Sequence, residues 1–178
     1  MLAKGLKVFG KKGEAAAKSE LLQQHQRICF RPKLPSELSY SEKRKAMISL
    51  MLLTEKNGDV KGRQVYNGKP TRDWVSKEDK ASPTVATEAL LLTAMIDSVE
   101  NRDVMSADIP NAFIQAKLEK KQDDERVIMK ITGKLVDWLV ELSPETYQSH
   151  VVKERGKKVL YVEVLRAIYG MLEAAMLW

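Results

Sequence analysis

The residues best placed for chemistry in this sequence surround Asp108. In the stretch SADIPNAFIQA, residues 106–116, this carboxylate follows a short apolar run and precedes Pro110 and Phe113. A carboxylate at the end of a strand suits Mg²⁺, a hard cation that binds one or two carboxylates together with substrate phosphates. Local features alone favour the alternative, in which Asp108 is a turn or helix-capping residue. Both interpretations stay open on these residues.

Other catalytic and metal-binding arrangements find little support in the sequence. His25 and Cys29 are four residues apart on a predicted helix, but two ligands do not make a metal site, and we expect a structural role for both. The other histidine of the chain is His150, and no Ser-His-Asp arrangement is evident. The glycines of GLKVFGKKG follow no predicted strand and lack a GK[ST] ending, which argues against a phosphate-binding loop.

Charge and composition narrow the class of protein. The net charge is +6, and residues 1–80 carry 18 Lys and Arg against 9 Asp and Glu, whereas residues 81–178 carry 12 against 15. A basic part beside a slightly acidic one suits a protein that holds a polyanion, although a basic protein without a nucleic-acid partner fits equally well. The single cysteine excludes an intrachain disulfide. With neither a membrane-spanning run nor a secretory signal, we expect no membrane partner and an intracellular protein.

Helix and strand signals predict the elements that position these residues. Residues 14–27 are strong helix formers. A second helix is predicted to begin at Ser39 or Ser41 and to run through YSEKRKAMISLMLL. Asn57-Gly58 predicts a turn between two short antiparallel strands around residues 51–67.

The clearest helical periodicity lies at residues 83–101. Apolar residues at spacings of four, three, four and three predict one buried helix face, made of Val85, Ala89, Leu92, Ile96 and Val99. A strand ending near Asp108 is predicted next, followed by a turn or helical start. Further strands are predicted at residues 125–131 and up to about Val164. Between them, residues 133–152 are predicted to be a surface insertion with one or two helices.

Five segments, in this order, resemble the reverse transcriptase of copia-type retrotransposon polyproteins. They are KGRQVYNG (61–68), SPTVATEALLLTAMID (82–97), DVMSADIPNAFIQAKLE (103–119), ERVIMKI (125–131) and LYVEVLRAIYGMLEAAMLW (160–178). Family members show K-x-R-x-V-x-x-G, then a P-V-x-x-x-T/S helix, then D-[IV]-x-x-A-F-[LI], then L-Y-G-L-K-Q-x-P-R-x-W.

The resemblance implies an α+β fold with right-hand polymerase-like fingers and a partial palm, incomplete at the C-terminus. Residues 1–54 would be a helical N-terminal extension or upstream fingers, and residues 55–178 the reverse transcriptase fingers and the start of the palm. The implied activity of the intact parent is template-directed DNA synthesis from dNTPs on an RNA or DNA template–primer. The polyprotein's protease, integrase and RNase H domains are the implied partners, in the cytoplasm, a virus-like particle or the nucleus.

The resemblance also implies roles for residues near Asp108. Asp108 matches the first catalytic aspartate, a ligand of two Mg²⁺ ions that align the primer and the incoming triphosphate. Ile109 would offer a backbone carbonyl to the metal, and Asn111 and Ala112 would point backbone N–H groups at the triphosphate. Phe113 matches the aromatic beneath the sugar, where a ring leaves no room for a 2′-hydroxyl; the alternative for this residue is a core aromatic.

Lys61 and Arg63 match the basic fingers strand that holds the triphosphate, with arginine as a bidentate phosphate donor. A solvated strand edge is the alternative for these two residues. The chain departs from the family where Glu173 replaces the usual Gln and Ala175 the usual Pro. A carboxylate suits a template–nucleotide pair less well than an amide.

The family's Tyr-x-Asp-Asp hairpin, which follows the tryptophan in its members, does not occur in these 178 residues. One carboxylate cannot hold two Mg²⁺ ions. We therefore expect this chain alone to bind nucleic acid weakly and not to polymerise. The alternative is a non-catalytic, basic nucleic-acid-binding remnant or domesticated module.

Overall fold

A computed structural model describes residues 2–68, 85–118, 126–171 and 174. The α-helices are α1 (Leu2–Gln26), α2 (Tyr40–Lys45), α3 (Thr87–Val99), α4 (Ala112–Gln115), α5 (Lys134–Leu142) and α6 (Pro144–Tyr147). The strands are β1 (Phe30–Lys33), β2 (Met47–Lys56), β3 (Asp59–Tyr66), β4 (Ile128–Thr132), β5 (Val152–Glu154) and β6 (Lys157–Val164). Short 3₁₀ turns occupy Pro35–Glu37 and Gln148–His150. No helix within these ranges is both long and apolar enough to cross a membrane.

The six described strands form one sheet. Five of them follow the order β1-β6-β4-β2-β3, and β5 pairs with β6. β2 and β4 run parallel, while the other described pairs are antiparallel. The sheet is therefore mixed, which confirms the α+β class at this coarse level.

Two helices cover one face of the sheet. α1 packs on β2 and β3, α5 contacts β4 and β6, and the two helices touch each other. Lys18 of α1 and Glu141 of α5 form an ion pair at 2.9 Å between Nζ and Oε1. The largest fully buried side chains of this core include Leu21, Met51, Ile131, Leu139 and Leu160. α5 contributes buried residues such as Trp138, so the prediction that residues 133–152 form a surface insertion is wrong.

The second predicted helix is correct only at its start. Ser39 caps α2, its Oγ accepting the backbone N–H of Glu42 at 3.1 Å, but the helix ends at Lys45. From Met47 the chain is strand, with Met47, Ser49 and Met51 alternately buried. This alternation has a period of two and places these side chains on the core face of the sheet. The predicted boundary at residue 54 lies inside β2, in a sheet that joins strands from both sides of it.

Residues 83–101 form the predicted helix in their described part, but the buried face is wrong. α3 contains no buried residue, and Val99 is 81% exposed. Helical periodicity identifies the side chains that share a face, whereas burial requires a partner, and none of the described elements buries this face. Ser82 and Pro83, the predicted helix start, lie outside the described residues.

Glu42 joins α2 to the start of β4. Its Oε1 accepts a hydrogen bond from Arg126 Nε at 2.6 Å, and its Oε2 accepts one from Arg126 Nη2 at 2.8 Å. The same Nη2 also donates to the Glu37 carbonyl at 2.8 Å. Hydrogen bonding to Arg126 lowers the pKa of the buried Glu42 carboxyl to about 2. This bidentate pair stabilises the fold while Glu42 is ionised.

We expect Glu42→Gln to lower the free energy of unfolding by about 2 kcal/mol at neutral pH. A depressed carboxyl pKa contributes stability above the unfolded pKa, and that contribution is lost as pH falls through the folded value of about 2. The difference between wild type and variant should therefore shrink as pH falls from about 5 towards 2. Urea unfolding at several pH values measures this, with Glu55→Gln, at an exposed position, as the control. A pH-independent difference would contradict the assignment.

Candidate functional site

A cleft of about 720 Å³ lies between α1, the β2–β3 hairpin and residues 102–111, the Asp108 segment. Four of the predicted site residues line it, namely Lys61, Arg63, Asp108 and Asn111. Ile109, Ala112 and Phe113 are not among its lining residues. The structure thus brings together residues from two motifs that lie far apart in the sequence.

The basic wall of the cleft is built on the β2–β3 hairpin. Asn57 and Gly58 have positive φ values of 55° and 81°, as a two-residue hairpin turn requires. Lys61 and Arg63 are two residues apart on β3, so their side chains leave the same side of the strand, and both are exposed. Lys56 of β2 adds a third cation that the sequence motifs did not identify.

Tyr169 lies in the matched segment 160–178, but no site role was predicted for it. The Arg63 guanidinium lies 4.5 Å from the centre of its ring, and Phe113 meets the ring edge-on at a centroid distance of 5.4 Å. The Tyr169 carbonyl accepts the Tyr66 backbone N–H at 2.8 Å, next to the end of β3. Gly170 makes this approach possible, since a Cβ on it would lie 2.2 Å from the Tyr66 carbonyl oxygen. Phe113 therefore packs against the ring on which Arg63 lies and against the hydrophobic core.

Asp108 does not end a strand, which corrects the prediction. Residues 102–109 have no regular secondary structure, and Val104 and Met105 are exposed rather than paired in the sheet. Asp108 does not cap α4 either, because the residue that precedes this helix is Asn111. The Asp108 side chain is exposed at the cleft.

Asn111 anchors this segment to α1. Its backbone is left-handed, with φ 54° and ψ 41°, a conformation that asparagine tolerates better than most residues. Its Nδ2 donates to Gln23 Oε1 at 3.2 Å. The Pro110 carbonyl accepts a hydrogen bond from Gln115 Nε2 at 3.0 Å. The turn after Asp108 is therefore held from both α1 and α4.

A buried polar layer lies beneath the basic wall. Glu20 of α1 accepts hydrogen bonds from the Gln64 backbone N–H at 3.1 Å and from Gln24 Nε2 at 3.0 Å. Burial raises the pKa of the Glu20 carboxyl. Gln64 Nε2 in turn donates to Ser49 Oγ at 2.7 Å. These bonds fix the backbone of β3 beside Arg63.

The described residues do not fit a site for two Mg²⁺ ions. They contain no group of three or more His, Cys, Asp or Glu side chains that could hold a metal ion. The carboxylates that line the cleft are Asp108 and Glu20, and Glu20 Oε1 already accepts two hydrogen bonds. Glu173 and Ala175, where the sequence departs from the family pattern, lie outside the described residues.

His25 lies near the end of α1, and Cys29 lies between α1 and β1. Cys29 is fully buried, and burial raises the pKa of its thiol to about 12. His25 Nδ1 lies 2.8 Å from the hydroxyl oxygen of the buried Tyr147, and the two rings meet edge-on. His25 therefore takes part in the contact between α1 and α6, and Cys29 belongs to the hydrophobic core.

Gly62 allows α1 to approach the basic strand. A Cβ on Gly62 would lie 2.6 Å from the Ala16 carbonyl oxygen. We expect Gly62→Ala to lower the free energy of unfolding by about 1–3 kcal/mol, because backbone atoms must move apart. Gly62→Val should cost more. Urea unfolding followed by circular dichroism measures both. Without this contact, alanine would stabilise the strand through the unfolded state, so a gain in stability would contradict the prediction.

No protein-family model matches the chain, and no curated protein or solved structure matches it either.

Proposed function

We propose that this chain forms the nucleotide- and nucleic-acid-facing part of an RNA-directed DNA polymerase. The observation that supports the proposal best is the shared cleft. The resemblance implies that Lys61 and Arg63 act on the same substrate as Asp108 and Asn111, and these four residues line one cavity. Under this proposal α1, β2 and β3 belong to the fingers, and the Asp108 segment begins the palm.

The charges of the cleft support a polyanionic ligand. Lys56, Lys61 and Arg63 line it together, and Asp108 is its one exposed carboxylate among the described residues. An arginine stacked on Tyr169 is held in place while its N–H groups stay available for phosphate oxygens. Each phosphate neutralised by such cations releases counterions, so binding should weaken steeply with salt.

Under this proposal, Asp108 is one carboxylate of the polymerase site. The described residues do not supply the others, so the chain by itself should bind a template–primer without extending it. The second candidate, a non-catalytic nucleic-acid-binding module, is favoured by the same excess of cations over exposed carboxylates in the cleft. Binding tests the function that both candidates share. Binding that Asp108→Asn leaves unchanged is compatible with either candidate, whereas primer extension that depends on Asp108 would favour the polymerase.

We expect Lys61→Ala combined with Arg63→Ala to weaken primer–template binding about tenfold and to lower the slope of log K against log salt by about 2. Fluorescence anisotropy across a salt series measures both quantities. The matched control is Lys43→Ala combined with Arg44→Ala, which removes the same charge from exposed positions of α2, outside the cleft. Asp108→Asn should not weaken binding. An equal loss in the Lys43 and Arg44 variant would show that binding depends on net charge rather than on the cleft.

We also expect no primer extension when the purified chain is incubated with a primed template, dNTPs and Mg²⁺. One exposed carboxylate does not hold two metal ions against their mutual repulsion. Gel analysis of a labelled primer measures extension. Extension that Asp108→Asn abolishes would overturn the expected inactivity and establish the polymerase assignment directly.

A further inference from the structure

The cleft depends on two polar residues of α1 that lie one helical turn apart. Glu20 binds β3, and Gln23 binds the turn that follows Asp108. Both side chains line the cleft. No motif of the resemblance includes either residue, since α1 precedes the matched segments.

Glu20 holds the strand that carries the cations. β3 is the last strand on its side of the described sheet, so alternate N–H groups point away from β2. The Gln64 N–H is one of these, and Glu20 Oε1 accepts it at 3.1 Å. Gln64 directly follows Arg63, and Glu20 is only 8% exposed. A buried carboxylate bonded to the backbone at this point fixes the position of Arg63 relative to α1.

Gln23 holds the segment that carries Asp108. Residues 102–109 have no regular secondary structure, and α3 before them buries no side chain in the described structure. The position of Asp108 therefore depends on attachments that follow it in the chain. Asn111 provides one of these through its hydrogen bond to Gln23 at 3.2 Å. Ile114, which is 1% exposed, provides another in the core.

We propose that Glu20 and Gln23 are positioning residues that set the separation between the basic strand and the Asp108 segment. Side chains three residues apart lie on the same face of a helix, so one rigid turn of α1 spans the two attachments. The inference rests on the proposed function in one respect, namely that the phosphate-binding cations and the Asp108 carboxylate contact the same ligand. The separation between the basic strand and the Asp108 segment does not depend on that ligand.

The geometric test measures the separation directly. Nitroxide labels at Asp59→Cys and Ser106→Cys report the distance between β3 and the Asp108 segment by pulsed electron spin resonance. Native Cys29 is fully buried and should not react with the label. We expect Gln23→Ala to broaden the distance distribution. The matched control is Gln26→Ala, which removes an exposed glutamine from the same helix.

The functional test measures primer–template affinity in the unlabelled 178-residue chain. We expect Gln23→Ala to weaken binding about threefold to tenfold, the effect of one hydrogen bond, because the turn no longer holds the Asn111 backbone N–H, a phosphate donor under the proposed function, at the cleft. Asn111→Gly, which keeps the left-handed backbone, should have a similar effect, and the double variant should bind no more weakly than either single variant.

Glu20→Gln keeps an acceptor for the Gln64 N–H and should preserve affinity, whereas Glu20→Ala should reduce it. Thermal unfolding identifies any variant that fails to fold, and Gln23→Ala, at a half-buried position, provides the test if Glu20→Ala does not fold.

The possible outcomes separate this inference from the proposed function. If wild type binds and Gln23→Ala matches Gln26→Ala in both affinity and distance distribution, the positioning role is wrong and the proposed function stands. If wild type does not bind, the proposed function fails, and the distance measurement still decides whether Gln23 sets the separation. An additive loss in the double variant would show that Gln23 and Asn111 act independently, which also overturns the inference.

Discussion

The close packing of α1 against β3 is the constraint on which the cleft depends. At Gly62 the two backbones approach so closely that a Cβ would lie 2.6 Å from the Ala16 carbonyl oxygen. This approach brings Glu20 within hydrogen-bond distance of the Gln64 N–H and makes α1 a wall of the cleft. The strand that carries Lys61 and Arg63 therefore has its position set by a helix from the start of the chain.

The same packing solves a problem common to edge strands. β3 lies at one side of the described sheet, where unpaired backbone groups would invite association with another strand. The N–H groups of Gln64 and Tyr66 are instead bound by Glu20 and by the Tyr169 carbonyl. The residues that accept these hydrogen bonds, Glu20 and Tyr169, thus also line the cleft. The same contacts protect the edge of β3 and hold the residues of the site in place.

Sequence reasoning could predict the local elements and part of the site. The Asn57-Gly58 turn, the strand that contains Lys61 and the Ser39 cap follow from local rules, and the structure contains them. Only the family resemblance predicted that Asp108 and Arg63 belong to one site, because no periodicity connects segments so far apart. The prediction of a strand before Asp108 was wrong. An apolar run forms a strand only where a neighbouring strand pairs with it.

The missed residues share a physical reason. Lys56, Glu20 and Tyr169 enter the cleft through hairpin register, helix packing and a turn after β6, none of which is readable from single residues. The buried face predicted for α3 failed for a related reason, since amphipathic spacing does not supply a partner. Long-range packing, rather than local propensity, determined which of the candidate residues meet.

The most direct measurement is lysine footprinting by acetylation and mass spectrometry, with and without a bound primer–template. A ligand in the cleft should protect Lys56 and Lys61, which line it, and should leave the exposed Lys43 and Lys153 as reactive as in the free chain. Protection of Lys43 and Lys153, with Lys56 and Lys61 unchanged, would show that nucleic acid binds elsewhere and would contradict the assignment of the cleft.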